Sequence, residues 1–299
     1  MPSFVLLCSM TACGGGGGSV CTTDDQCPSH FCKADGTCGP ASTIDAPGSN
    51  GSGTIDAPSG VCVPNHDGMI ERAELPMAPG VMATFRIATS ATWSTAGHSN
   101  NDGSRTWDLT GQLANDADTP VTLGSPSGAW WAADSGFAGA SYTAVLASGS
   151  TLQGVFKLDA NGLVLLGVVS PSGGATKTEL TYDPPARILA LPFKAGDTWT
   201  STSTVSGYLN GGVGGSYTEK YDSSVDQVGT MTTPYSATPF PVLRVATNLT
   251  RTAGITTLLT KRTFAWSAEC FGSVATVAGQ DNDTSTEFSS DAEVRRLAP

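Results

Sequence analysis

The sequence predicts a mainly β protein, an antiparallel curved half-barrel or sandwich over residues 80–299, preceded by a small disulfide knot and a disordered linker. Three observations predict it. Only 14% of the 299 residues are charged and 36 are Gly, with Thr and Ser recurring throughout, a mixture typical of exported β proteins rather than helical cytosolic enzymes. From residue 81 onward, segments rich in Val, Thr, Tyr and Phe alternate with Gly, Asn, Asp and Pro punctuation. Finally, Val155-Phe156-Lys157-Leu158 and residues 163–169 flank Asp159-Ala160-Asn161-Gly162, a four-residue hairpin signal with Gly in the place expected to be left-handed.

At the N-terminus, residues 4–12 form a short apolar stretch that ends in small residues directly before Cys13, the layout of a signal-peptide core and its cleavage site. Met10-Thr11-Ala12-Cys13 resembles the bacterial lipobox, although Met10 stands where Leu is commoner. The resemblance implies cleavage before Cys13 and acylation of its sulfur. No Lys or Arg precedes the apolar core, so either the start codon lies upstream, the preferred reading, or export is weak. Five glycines at 14–18 cannot continue a packed element and read as a tether. Buried acyl chains contribute about 0.8 kcal/mol per CH2, so several chains together anchor stably. The expected location is the bacterial cell envelope, at the outer membrane or cell surface.

The formal charge is −11, and the 15 Lys and Arg are scattered, so no basic stripe exists to neutralise phosphates and nucleic acid is not an expected partner. No apolar run after residue 13 approaches the roughly 18 residues a membrane helix requires.

Cys21, Cys27, Cys32 and Cys38 fall as Cys-x5-Cys-x4-Cys-x5-Cys, with Asp24-Asp25 and Asp35-Gly36 supplying turns. So short a segment has no hydrophobic core, and disulfides are the usual remedy in an oxidising compartment. Zinc is the competing reading, but metal sites favour Cys-x2-Cys pairs, which are missing here. The spacing resembles small knots of the dickkopf N-terminal type and short repeats of myxobacterial surface lipoproteins of unknown function. Of three connectivities, Cys21 with Cys32 and Cys27 with Cys38 is preferred. Residues 39–60 repeat Thr-Ile-Asp-Ala-Pro within a Gly, Ser and Pro mixture too poor in apolar groups to order itself, hence a spacer.

Asn65-His66-Asp67-Gly68-Met69-Ile70-Glu71-Arg72-Ala73-Glu74 resembles an EF-hand calcium loop from its third position. Asn65, Asp67 and Glu74 occupy ligand places, Gly68 the sharp turn and Ile70 the apolar plug. Val63 stands where the first Asp belongs, which weakens a calcium site. The competing reading is a structural loop whose Asp67 caps a short helix over residues 69–75, stopped by Pro76. No other cofactor is expected. Asp281, Asp283 and Glu287 read as a solvated acidic loop.

Counting yields one more bond. Cys8 leaves with the signal peptide, Cys13 is acylated and the knot consumes four, which leaves Cys62 and Cys270 to pair.

Within the β domain, Tyr217, Tyr221 and Val225 share one side of a strand, as do Leu243, Val245 and Leu249. Most of the six tryptophans are expected in the core, including at least one of Trp130 and Trp131. A Gly-led strand carrying Trp199, the Phe240-Pro241-Val242-Leu243 strand and the Trp266 strand before Gly272-Ser273-Val274 resemble secreted bacterial β domains of unknown function.

Only His30, His66 and His98 are present, and the metalloprotease, serine-hydrolase and phosphate-loop motifs are absent. The leading expectation is a non-catalytic envelope lipoprotein, a surface-display or interaction module with a protein or glycan partner. A carrier holding an apolar ligand in the half-barrel is the alternative, and a glycan-acting enzyme with a carboxylate pair ranks third. The segments are then a signal peptide (1–12), a lipidated tether (13–20), the knot (21–38), the linker (39–60), the EF-hand-like loop (61–79) and the β domain (80–299).

Overall fold

A computed structural model describes residues 62–299. Cys13, Cys21, Cys27, Cys32 and Cys38, with the tether, knot and linker around them, lie outside the described residues.

In chain order the strands are β1 (Met69–Ile70), β2 (Met82–Thr92), β3 (His98–Ser99), β4 (Arg105–Asp108), β5 (Ala117–Thr122), β6 (Tyr142–Val145), β7 (Gln153–Asp159) and β8 (Gly162–Val169). They continue as β9 (Glu179–Ala190), β10 (Phe193–Lys194), β11 (Thr198–Leu209), β12 (Gly212–Thr233), β13 (Ser236–Ala253), β14 (Thr256–Ala268), β15 (Gly272–Gly279) and β16 (Ser290–Ala298). Twelve of them form one path, β5-β2-β16-β15-β14-β13-β12-β11-β9-β8-β7-β6, and every neighbouring pair on it is antiparallel. β4 joins from the side as a parallel partner of β12.

The two ends of the path, β5 and β6, meet at a single bridge between Gly124 and Thr143, whose backbone groups exchange hydrogen bonds of 2.8 and 2.9 Å. The architecture is therefore a nearly closed antiparallel half-barrel. The bridge draws the two edges of the sheet together, while the outer sides of β5 and β6 themselves stay unpaired. A bulge between Val225 and Gln227 interrupts the 22-residue β12 and bends it.

The hairpin expected around Asp159 is present between β7 and β8 but is tighter than the sequence signal implied. Asp159 pairs with Gly162, leaving a two-residue loop, Ala160-Asn161. Gly162 has φ 147°, and a side chain there would collide with the Leu189 carbonyl oxygen, so close approach of β9 is a second reason for glycine.

The segment after Cys62 departs from expectation. Instead of a helix over residues 69–75, the chain forms β1, paired with β10 through Met69 with Lys194 and Ile70 with Phe193, then a 3-10 turn, Arg72–Glu74. The apolar plug explains the change, because Ile70 is buried against Phe193 and Leu75, and a helix would swing it off the sheet. Cys62 and Cys270 are disulfide-bonded with Cα atoms 5.6 Å apart, as the count predicted.

Two large cores and two smaller clusters pack the sheet. Trp107 and Leu109, on the segment around β4, cover one face, where Trp266, Phe264, Val277 and Val294 lie. Trp266 meets both Trp93 and Trp107 edge-on with ring centroids 5.6 Å apart. A second core joins Ile70, Phe193, Trp199, Val225, Leu243 and Val245. Trp107, Trp131, Trp199 and Trp266 are buried, so most tryptophans are core as expected. Trp130 and Trp131 lie in turns rather than on a strand; Trp131 packs on Phe137 and Val155, while Trp130 is half-buried and donates to the Ser170 carbonyl at 3.0 Å.

Asp291 on β16 is fully buried, and neither carboxylate oxygen has a hydrogen-bond partner among the described residues. Burial pushes its carboxyl up to about 6, against the lowering influence of the nearby Trp93 backbone N–H. The folded state thus holds a proton more tightly than the unfolded chain, so stability is greatest below the unfolded pKa of 3.8 and falls as pH rises through about 6. Replacing Asp291 by Asn should raise unfolding free energy at pH 7 by up to about 3 kcal/mol and flatten its slope between pH 4 and 6. Urea titrations across that range test it, and an unchanged slope would show that the carboxyl is not protonated there.

Candidate functional site: an apolar cavity with a buried polar cluster

Antiparallel pairing gathers four turns at one end of the sheet: residues 146–152, 170–178, Asn210-Gly211 and Gly254-Ile255. Beneath them opens a cavity of about 620 Å³. Its lining is mainly aliphatic, with Leu152, Leu165, Val168, Leu180 and Leu249 contributed by the loop before β7 and by β8, β9 and β13.

The alternation read from the sequence places its polar residues. On β12, Tyr217 and Tyr221 point to the same face, and Glu219 between them does so too. Register then sets Glu219 opposite Arg251 and Tyr221 opposite Leu249 on β13, while β11 sets Val205 opposite Tyr217 and β9 supplies Tyr182. Glu219 is 1% exposed. Its Oε1 accepts from Arg251 Nε at 2.8 Å and Nη2 at 2.6 Å, and its Oε2 accepts from Tyr182 Oη at 2.9 Å and Tyr221 Oη at 2.5 Å. The Arg251 guanidinium also lies 4.8 Å from the Tyr217 ring centre.

Burial pushes the Tyr182 and Tyr221 phenols far above the ordinary tyrosine value, and the Glu219 charge adds to it, so both remain donors. Burial works to depress Arg251, but its hydrogen bonds to Glu219 outweigh that and leave it above its usual value. The carboxylate is saturated, with four donated hydrogen bonds on its two oxygens. What the cavity offers a ligand is apolar wall plus the outward donors of a half-exposed Arg251.

The calcium-like residues are committed elsewhere. Asn65 Nδ2 donates to Asp67 at 3.2 Å, and Asp67 Oδ1 accepts from the Met69 N–H at 2.8 Å, so Asp67 caps a turn rather than the expected helix. Glu74 is buried, and its Oε2 accepts from the Glu71 N–H at 2.9 Å. Burial, then neighbouring Glu269 and Asp67, raise its pKa against that bond. Among the described residues no group of three or more His, Cys, Asp or Glu is arranged to hold a metal.

The acidic residues near the C-terminus divide. Asp281 pairs with Lys261 at 2.8 Å and Asp283 caps the Ser285 N–H, both at the surface. Glu287 is instead half-buried against Arg244 and Thr95.

Sequence reasoning found Tyr217, Tyr221 and Leu249 as same-side residues but missed Glu219, Arg251 and Tyr182. The available signal was a charge inside an apolar alternation, Tyr217-Thr218-Glu219-Lys220-Tyr221, which marks a buried and therefore partnered carboxylate. In comparisons with known proteins, no family model, curated protein or solved structure matches the chain.

Proposed function

We propose that this domain is a carrier that holds an apolar ligand in the half-barrel cavity, displayed as a cell-envelope lipoprotein anchored through Cys13. The observation that supports it is the cavity, whose volume of about 620 Å³ lies within the range of small-molecule sites and whose walls are predominantly aliphatic. Burying about ten methylenes at ~0.8 kcal/mol each yields roughly 8 kcal/mol, micromolar affinity before ordering costs. The reading is favoured over a pure display module because a display module gains nothing from a recess walled by Leu152, Leu165, Val168, Leu180 and Leu249. A glycan hydrolase needs two carboxylates facing one substrate, and the described residues lining the cavity include one, Glu219, with its lone pairs engaged.

The test is binding of a dansyl-labelled fatty acid by the purified full chain. Fluorescence should rise on binding with micromolar affinity, and Leu249→Trp, which fills the cavity, should weaken it at least tenfold with little change in melting temperature. No saturable binding, or equal binding by a folded Leu249→Trp variant, would overturn the carrier reading.

A further inference from the structure

The cavity mouth carries a second feature that its lining does not require. Val213, beyond the β11–β12 turn, is 85% exposed, and Ile255, at the β13–β14 turn, is 104% exposed; neither lines the cavity. Leu209 and Leu258, which do line it, are 49% and 51% exposed. β12 pairs with both β11 and β13, so these two hairpins are neighbours; the β11–β12 tip reaches a few residues farther and its Gly211 N–H donates to the Lys177 carbonyl at 2.8 Å.

Charge is missing from the same places. No Asp, Glu, Lys or Arg occurs between residues 199 and 218 or between 252 and 260, and the adjoining turn at 146–152 is also uncharged. Just behind the tips stand amphipathic groups. Tyr208 is partly exposed, Trp130 is half-buried against the 170–178 turn, and Lys177 Nζ lies 5.0 Å and 5.2 Å from their respective ring centres. Apolar side chains at exposed turns, backed by Tyr, Trp and a Lys paired with Glu179, follow the polarity profile of a bilayer from hydrocarbon to headgroups. A folded partner's groove would instead be met by a flatter patch with hydrogen-bonding groups at its rim. The distribution of charge selects the same occupant, since a chain of net charge −11 with uncharged tips gains nothing from an anionic surface and loses no ion hydration on entering an apolar one.

We infer that the β11–β12 and β13–β14 tips form a membrane-inserting lip, dipping Val213 and Ile255 into a lipid bilayer so that the apolar wall at Leu209 and Leu258 is continuous with its interior. The inference rests on the carrier reading for its purpose but not for its geometry. A ligand then moves between cavity and bilayer without crossing water.

The experiment uses the full chain with Cys13→Ser, so that no acyl anchor contributes, mixed with phosphatidylcholine vesicles and separated by flotation. The protein should float with the vesicles, equally at low and high salt. Val213→Asp with Ile255→Asp should reduce flotation at least tenfold, Ile255→Trp should increase it, and Val63→Asp with Met82→Asp, at exposed apolar sites near the opposite end, should leave it unchanged. Absence of vesicle binding, binding that the tip substitutions do not alter, or tip-dependent self-association in place of vesicle binding would overturn the lip. The two readings fail separately: dansyl fatty acid measured without vesicles should bind the Val213→Asp, Ile255→Asp protein as it binds the unsubstituted chain. Loss of that signal in the unsubstituted chain sinks the carrier, whereas loss of flotation alone sinks the lip.

Discussion

Replacing Arg244 by Leu should lower the unfolding free energy by about 3–5 kcal/mol, the range for removing one partner of a buried ion network. Arg244 is 1% exposed, and all five of its N–H donors are used. Nε and Nη2 donate to Asp226 at 2.9 and 2.7 Å, Nη2 and Nη1 to Glu287 at 2.7 and 3.1 Å, and Nη1 to the Thr95 carbonyl at 2.8 Å. Its guanidinium carbon also lies 4.3 Å from the Phe264 ring centre and 5.6 Å from that of Trp107. Burial acts to raise the Glu287 pKa, but Arg244 and Thr95 together hold it below the usual value. The contribution of that carboxylate is therefore present above its unfolded pKa of 4.5 and lost as pH falls through the lower folded value. Arg244→Lys should restore little, because a single ammonium cannot reproduce two bidentate contacts. For a domain of this size the melting temperature should drop by roughly 6–20 °C. A loss under about 1 kcal/mol in urea unfolding would mean the network contributes specificity rather than stability.

The second large effect is the disulfide. Cys62 and Cys270 are 208 residues apart in sequence, so the chain-entropy model allows roughly 5 kcal/mol, an upper figure that residual structure in the unfolded chain reduces. Cys62→Ser and Cys270→Ser should each remove about 2–5 kcal/mol. Cys270 is fully buried and has φ 66°, so the pair of substitutions should be compared with reduction of the native chain to separate the bond from the replacement side chain. If reduction leaves the urea midpoint in place, the bond is not a stabiliser.

What the sequence made legible was local or arithmetical. Alternation over residues 155–169 marked a hairpin because both strands and their turn lie within fifteen residues, and the cysteine count identified a pair across 208 residues without any geometry. The helix assigned to residues 69–75 failed because a short apolar motif is equally compatible with one turn of helix and a two-residue bridge. Burial of Ile70 on Phe193, over a hundred residues away, decided between them. The cavity was illegible for the same reason at larger scale. Glu219 meets Arg251 only once the β12 register is fixed, and a slip of one residue would turn both to the opposite face. Closure through Gly124 and Thr143 left no trace in either segment, since a single bridge imposes no periodicity.

The placement of the disulfide also governs how the domain bears mechanical load. A pull arriving along the chain at Cys62 would, without the bond, fall first on β1, whose two-residue pairing with β10 would unzip one hydrogen bond at a time. The bond diverts that force to Cys270, in the turn between β14 and β15, strands flanked on both sides by ladders to β13 and β16. Tension there runs along the strands, over the roughly 43 Å length of β14 at about 3.3 Å per residue, and many ladder hydrogen bonds share it in shear. The cavity mouth lies at the far end of β14, where Leu258 lines it, so the mouth is the part that a pull on the chain at Cys62 reaches last.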